Sequence, residues 1–380
     1  MRRPRCFVAD YMHILVVGIS RFGVPSGICR YADMIARAAS NLRDVQTTIA
    51  VGSWQNDYFR DIFKSDLHSR LISVDIDNSS LSRNMWSIRT LPQMAMDLHA
   101  DVIHLAYPMP FLRRRFQCPV VLTVHDLYPF DIPQNFSFPG ANRLILRVAV
   151  HQSDAVICIS NSTVSRFREL FPNKYTVARI YNPIVMPRLE TGQQAIRDLR
   201  QTGFLLAVGQ HRSNKNLDVL QRSFGLLRET EQLPSDCQLV VVGSEGPETP
   251  ALQRLTQKLG LTGHVHYLSS ISESQLAWLY RNCLVMVVPS SHEGFCLPVV
   301  EALLSGARVV CSDIPVLREA GSDVCTYFQL QADSVHQLAT AIVSSIRSPI
   351  RNNFAHDCFV PDNVARELQG IYQGVAQVRH

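Results

Sequence analysis

Short apolar runs alternate along the chain with stretches whose apolar positions recur at helical spacing. Nine runs read as strands: 13–18 (H-I-L-V-V-G), 102–105, 119–124, 155–159, 204–208, 238–242, 264–268, 284–288 and 308–311. They are apolar nearly throughout instead of alternating, the pattern of parallel strands covered on both faces. Between them, Ile28, Tyr31, Ile35 and Ala38 share one helical face, as do Leu217, Leu220, Phe224 and Leu227. Strand and helix in alternation predict an α/β, doubly wound parallel sheet.

The series restarts in the middle. Residues 182–203 hold two prolines and few strand formers, and read as a linker with an entry helix. At 380 residues the chain exceeds one ordinary core. The expected organisation is two Rossmann-like domains, 12–185 and 186–360, facing each other across a cleft. A final helix over 361–380, with Val364, Leu368, Ile371, Tyr372 and Val375, is expected to pack back on the first domain. Ligands bind such sheets at the carboxyl ends of the strands. The G-x-G-x-x-G fingerprint is missing after the first strand, where G-I-S-R-F-G stands, and this disfavours a nicotinamide enzyme.

Composition narrows the partners. Hydrophobic residues make up 46% and charged residues 18%, which argues against disorder. A net charge of +5 is too small to assign nucleic acid, yet suits phosphorylated substrates or an anionic membrane surface. Ten cysteines without a C-x-x-C pair read as reduced, several of them buried (Cys158, Cys283, Cys311). Residues 1–11 read as a frayed basic extension, and no apolar run approaches the length of a membrane span. Location in the cytoplasm is expected, with peripheral contact at the membrane's inner face. Arg113, Arg114 and Arg115 beside Phe111 and Phe116, and Arg83 and Arg89 beside Trp86, are the candidates for that contact; snorkelling surface cations are the other reading.

Candidate chemistry gathers after the strands. E-G-F-C-L-P-V-V-E at 293–301 places Glu293 on a loop and Glu301 in the first turn of a helix running from about Pro298 to Ser305 and stopping at Gly306. The helix start offers donors for a phosphate, and the two carboxylates offer acceptors for hydroxyls. A nucleotide sugar needs that combination. G-V-P-S-G-I-C-R-Y at 23–31 opens a helix with small residues that let a backbone approach a ligand. T-V-H-D-L-Y-P at 123–129 puts His125 and Asp126 at a strand's carboxyl end, where His125 can bond a sugar hydroxyl or share a proton. In A-V-G-Q-H-R-S-N-K-N-L at 207–217, Gly209 marks a turn, Arg212 and Lys215 suit a diphosphate, and Asn216 is placed to cap the next helix. Asp75-Ile76-Asp77 has a spacing that can hold a divalent ion, but the polar residues after it read as a loop. No metal or other cofactor is expected. Each segment also has an ordinary structural use, as a tight turn, a satisfied core histidine or a solvated charge.

In order, these segments resemble the family-4 retaining glycosyltransferases of the GT-B fold over roughly residues 13–375. The resemblance rests on S-G-I-C-R-Y (26–31), T-V-H-D-L (123–127), S-D-A-V-I-C-I-S-N-S-T (153–163), V-G-Q-H-R-S-N-K-N-L (208–217), S-S-H-E-G-F-C-L-P-V-V-E-A (290–302) and S-D-I-P-V-L-R-E (312–319). It implies that Glu301 holds the donor's ribose and Glu293 the transferred sugar. Gly294, Phe295, Cys296 and Leu297 touch sugar or phosphate. Lys215, with Arg212, binds the diphosphate beside Gly209. Gly27 lies near the donor, and His125 is the active-site histidine. The chain departs from the family at Gln210, where arginine is common, and at Cys296, where glycine is common. The tract resembles bacterial mannosyl- and rhamnosyltransferases of polysaccharide synthesis. That resemblance implies a hexose moved from a nucleotide diphosphate sugar, GDP-mannose first, to a saccharide or lipid-linked saccharide. A nucleotide-sugar epimerase and a non-catalytic partner subunit are the alternatives.

Overall fold

The computed structural model describes residues 11–21, 27–63, 69–132, 138–174, 176–185, 199, 203–351, 354–355 and 357–377. The expected basic extension up to residue 10, the loop residues 23–26 and most of the linker lie outside them. Two compact units divide the chain: Met1–Val185 with Asp357–His380, and Met186–His356.

The first unit holds β1 (Met12–Val17), β2 (Val45–Gly52), β3 (Ser69–Val74), β4 (Val102–Leu105), β5 (Val120–Val124), β6 (Ala155–Cys158) and β7 (Val177–Arg179) in the order β3-β2-β1-β4-β5-β6-β7. The second holds β8 (Phe204–Val208), β9 (Gln238–Val242), β10 (Val265–Leu268), β11 (Val285–Val288), β12 (Val309–Ser312) and β13 (Thr326–Phe328), ordered β10-β9-β8-β11-β12-β13. Both sheets are parallel, with Val16 opposite His104 and Leu205 opposite Val285 at their centres. The order reverses between β1 and β4 and again between β8 and β11. A reversal leaves a crevice at the strands' carboxyl ends, because the flanking connections run to opposite faces there.

All nine runs that read as strands form strands. Four further strands have weaker signals. In β2, V-Q-T-T-I-A-V-G, threonines interrupt the apolar run, yet Thr47 and Thr48 are fully buried and the Thr48 hydroxyl meets His13 Nε2 at 2.8 Å. β3, β7 and β13 are edge strands, which need less apolar sequence because one side has no neighbour to pack. Inner strands bury Leu15, Leu105 and Leu122 in one core and Leu205, Val241 and Val287 in the other. Each large apolar side chain removed from water contributes about 1.5–3 kcal/mol.

Five helices bear on the site: α1 (Gly27–Ser40), α2 (Leu217–Glu229), α3 (Glu273–Asn282), α4 (Leu297–Leu304) and α5 (Pro361–Gln377). The C-terminal α5 buries Val364, Leu368, Tyr372 and Val375 along one stripe and packs against α1. The aromatics of the two basic clusters face inward. Trp86, Phe111 and Phe116 are core residues, Arg115 bonds the Ile88 carbonyl, and Arg113 pairs with Asp154 at 2.6 Å. The aromatic neighbours of these arginines are thus covered within the first unit. Cys158 and Cys311 are buried and Cys283 is half-buried; the nine described cysteines are free thiols. Among the described residues, no helix is long and apolar enough to cross a membrane.

Candidate active site

The reversal between β8 and β11 brings two distant loops together. The loop after β8 forms a single 3-10 turn, Ser213–Lys215, closed by Asn216 in the left-handed region at φ 46°. Asparagine tolerates that conformation because its short amide bonds locally. Here the amide reaches the neighbouring loop: Asn216 Nδ2 donates to the Pro289 carbonyl at 2.8 Å. Asn216 occupies the position before α2 but makes no side-chain cap, so the expected capping role gives way to a bond between loops. Buried Asn214 adds two more ties, Nδ2 to the His292 carbonyl at 3.0 Å and its own carbonyl to Ser291 N–H at 2.9 Å. Backbones also meet closely on the other flank. A Cβ on Gly243 would stand 2.0 Å from the Gly209 carbonyl oxygen, so only glycine fits there. Gln210 points its amide to the Glu245 carbonyl at 3.2 Å.

These ties set Lys215 against Glu293, Nζ to Oε1 at 2.5 Å. The Glu293 side chain is 7% exposed and that of Lys215 21%. Gly209 makes room for the lysine, since a Cβ there would lie 3.3 Å from Lys215 Cε. Burial, the largest influence, works to lower the lysine pKa, but Glu293 and Cys296 together outweigh it and the ammonium titrates above its ordinary value. Nearby Arg212 opposes this by repulsion. Arg212 is half-buried and borders a pocket of 360 Å³ with Ser213, Leu217 and Glu248. That pocket is lined by none of Lys215, Glu293 and Gly209, which form one constellation with Arg212 close enough to repel the lysine.

Glu301 sits deeper in the second unit than its sequence position suggests. α4 begins at Leu297, so Glu301 is its fifth residue and lies in the second turn, not the first. It is 4% exposed and accepts a hydrogen bond from Tyr280 of α3 at 2.9 Å. The helix start is also a narrower anion site than its position promises. Pro298 has no N–H, and Val299 N–H already donates to the Cys296 carbonyl at 3.1 Å. Cys296 itself adopts φ 77°, ψ 67°, the left-handed region, with its side chain buried beside Phe295. A residue with a Cβ is strained there. Gly294 and Leu297 flank this turn and are half-buried. Gly306 follows α4 at φ 80°, as a helix-ending glycine does.

In the first unit, His125 follows β5 next to the β1/β4 reversal. Its Nε2 donates to the Ala106 carbonyl at 2.8 Å, so Nε2 carries the proton and Nδ1 offers a lone pair. Burial depresses its pKa to about 4, which keeps the ring neutral near pH 7. Asp126 turns away to accept Tyr128 N–H at 3.1 Å. Gly27 is exposed at the start of α1, and among the described residues no atom beyond its chain neighbours lies within 4 Å of the place a Cβ would take. Buried Gln55 braces the loop leading toward it through the Gly18 carbonyl and Ser20. Asp75 and Asp77 are exposed at the end of β3, with Asn78 bonded to the Arg21 carbonyl. Among the described residues, no three His, Cys, Asp or Glu side chains group as metal ligands.

Residues 194–357 match the family model of glycosyl transferases group 1, and residues 25–186 that of glycosyltransferase family 4. The chain belongs to the family-4 glycosyltransferases. This glycosyltransferase is 24% identical over 346 residues to the O-antigen chain mannosyltransferase RfbU of Salmonella typhimurium, covering 86% of this chain and 92% of that one. It is 32% identical over 261 residues to the O-antigen chain mannosyltransferase B of Escherichia coli, covering 63% and 62%. Among solved structures, Anabaena HepE in complex with UDP and glucose aligns with a TM-score of 0.66 at 19% identity over 97% of this chain and 99% of that one. The glycosyltransferase therefore has the GT-B fold, two Rossmann-like parallel-sheet domains. Tyr280, Asn214 and Gln55 escaped the sequence reading, because nothing local marks a side chain whose partner lies tens of residues away.

Proposed function

We propose that this glycosyltransferase moves a hexose, mannose from GDP-mannose in the first instance, to a saccharide or lipid-linked saccharide with retention at the anomeric carbon. The buried Lys215–Glu293 pair at the β8/β11 reversal carries the reading. A cation and a carboxylate held side by side suit a substrate whose diphosphate adjoins a hydroxyl-rich sugar. Lys215 and Arg212 stabilise the departing diphosphate, often the largest contribution in such transfers. Glu293 accepts from hydroxyls of the transferred sugar, and Glu301, fixed by Tyr280, from the ribose. The backbone from Gly294 to Leu297 lies along sugar and phosphate. His125 offers its Nδ1 lone pair to a sugar hydroxyl. The mannosyltransferase names of its relatives support mannose.

Leaving-group charge is met by Lys215 and Arg212, so no metal is needed. The leaving phosphate takes the acceptor proton on the same face, and no carboxylate serves as a covalent nucleophile. The enzyme acts in the cytoplasm, at the membrane's inner face where its acceptor is lipid-linked.

A thermal-shift screen with GDP-, UDP- and dTDP-sugars tests the donor. A ligand at a hundred times its Kd stabilises by about 2.7 kcal/mol, so GDP-mannose should raise Tm and its rivals should not. A UDP-sugar shift with none for GDP-mannose would overturn the donor. Proton NMR of the first product reports the anomer, and an inverted linkage would overturn retention. Activity that a chelator abolishes and manganese restores would overturn metal independence. A stable glycosyl adduct on a carboxylate, seen by mass spectrometry, would overturn the same-face path.

A further inference from the structure

Four buried polar side chains from four elements meet under His125. Tyr31 of α1, His104 of β4, Thr123 of β5 and Tyr372 of α5 are each 1% exposed or less. The Thr123 hydroxyl is the node: Tyr31 OH lies 2.7 Å from it and His104 Nε2 2.8 Å. His104 Nδ1 in turn meets Tyr372 OH at 2.7 Å. Three hydrogen bonds thus join the four groups in a line. Burial keeps His104 neutral by lowering its pKa to about 3. One of its nitrogens then donates and the other accepts, which gives the line a direction.

Packing alone does not call for such a line. Apolar side chains of similar volume would fill the space without the cost of burying polar groups. What hydrogen bonds add is orientation, because each fixes an angle as well as a distance. The group oriented at the end of the line is the Tyr31 ring. It stands at 86° to the His125 imidazole, with centroids 4.5 Å apart. The Ala106 carbonyl also holds that imidazole, through Nε2. Rotation of Tyr31 would release this edge-to-face constraint on the ring.

We infer that Thr123 is a positioning residue: with Tyr31, His104 and Tyr372 it holds the His125 imidazole in the orientation that transfer requires, and links that orientation to the docking of the C-terminal helix on the first unit. The inference rests on His125 contacting the reacting sugar.

The test compares Thr123→Val, isosteric but without the hydroxyl, with Thr123→Ser, which keeps it. Thr123→Val should lower kcat about tenfold, the scale of a small misplacement, while the donor KM stays within about twofold. Thr123→Ser should restore most of kcat. The ¹⁵N resonances of His125 should move in Thr123→Val and return in Thr123→Ser, a readout that lost stability alone would not shift. A folded Thr123→Val enzyme with wild-type kcat overturns the inference, as does Thr123→Ser being no better than Thr123→Val. If Thr123→Val does not fold, Tyr31→Phe serves, since it keeps the ring and loses the bond; wild-type kcat there is equally fatal. His125→Ala separates the two levels. If it keeps full kcat, the role of His125 falls; if it is inactive while Thr123→Val is fully active, the positioning line alone falls.

Discussion

Lys215 and Glu293 are each other's partners, and this decides how their substitution should behave. Removing the lysine leaves a carboxylate that is 7% exposed without its cation, so charge as well as substrate contact is lost. Lys215→Ala and Glu301→Ala should each lower turnover about a hundredfold, the scale of one transition-state contact. Circular dichroism should show the fold intact. Near-normal turnover in both would sink the assignment of these residues to the donor. Cys296 makes a separate prediction, about strain. At φ 77° a Cβ costs about 1–2 kcal/mol relative to glycine. Cys296→Gly should therefore be more stable than Cys296→Ala by about 1 kcal/mol in denaturant unfolding, since the two share the loss of the thiol and differ in the Cβ. The sequence shows cysteine at a position where glycine is expected to be common; only the backbone dihedral turns that departure into an energy.

At the scale of elements, α4 shows how far a motif can be read. Proline near its start and glycine after its end bracket the helix to within a residue. One residue of displacement nonetheless moves Glu301 from the first turn to the second, where Tyr280 of α3 fixes its carboxylate. Tyr280→Phe leaves Glu301 one hydrogen bond short, worth about 1 kcal/mol, so the donor KM should rise about fivefold with kcat little changed. An unchanged KM would mean that Tyr280 supports the fold and not the donor. Strand legibility largely follows position in the sheet, the edge strand β10 being legible and the inner β2 not. Inner strands are covered on both faces and announce themselves as apolar runs. β2 hides because threonines interrupt its apolar run, the buried Thr48 hydroxyl being met by His13 across the sheet, and β3, β7 and β13 hide because edges tolerate polar residues.

At the scale of the whole molecule, the first unit carries a built-in acid sensitivity. His104 and His125 have folded pKa values of about 3 and about 4, below the ordinary 6.5. Between those values and 6.5 the unfolded chain binds more protons than the folded one, so stability rises with pH in that window. It is fully present above about pH 6.5 and is lost as pH falls toward 4. Each such histidine adds a slope of about 1.4 kcal/mol per pH unit there. Tm measured from pH 7 to pH 4.5 should fall steeply, and less steeply in His104→Gln. Equal slopes in both proteins would remove His104 from the account.

The amino-acid order alone determined the alternation of strand and helix, the restart into a second unit, and the segments after β5, β8 and β11 that carry chemistry. Those features depend on hydrophobic period and on turn residues, which act between near neighbours. It also placed Lys215 and Glu293 among the candidates, 78 residues apart, without joining them. Only the tertiary structure decided that they form an ion pair, that Tyr280 holds Glu301, and that Tyr372 reaches His104 across 268 residues. The reason is physical. Strand order within a sheet is set by packing and by the handedness of crossovers, and it is strand order that brings the β8 and β11 loops side by side.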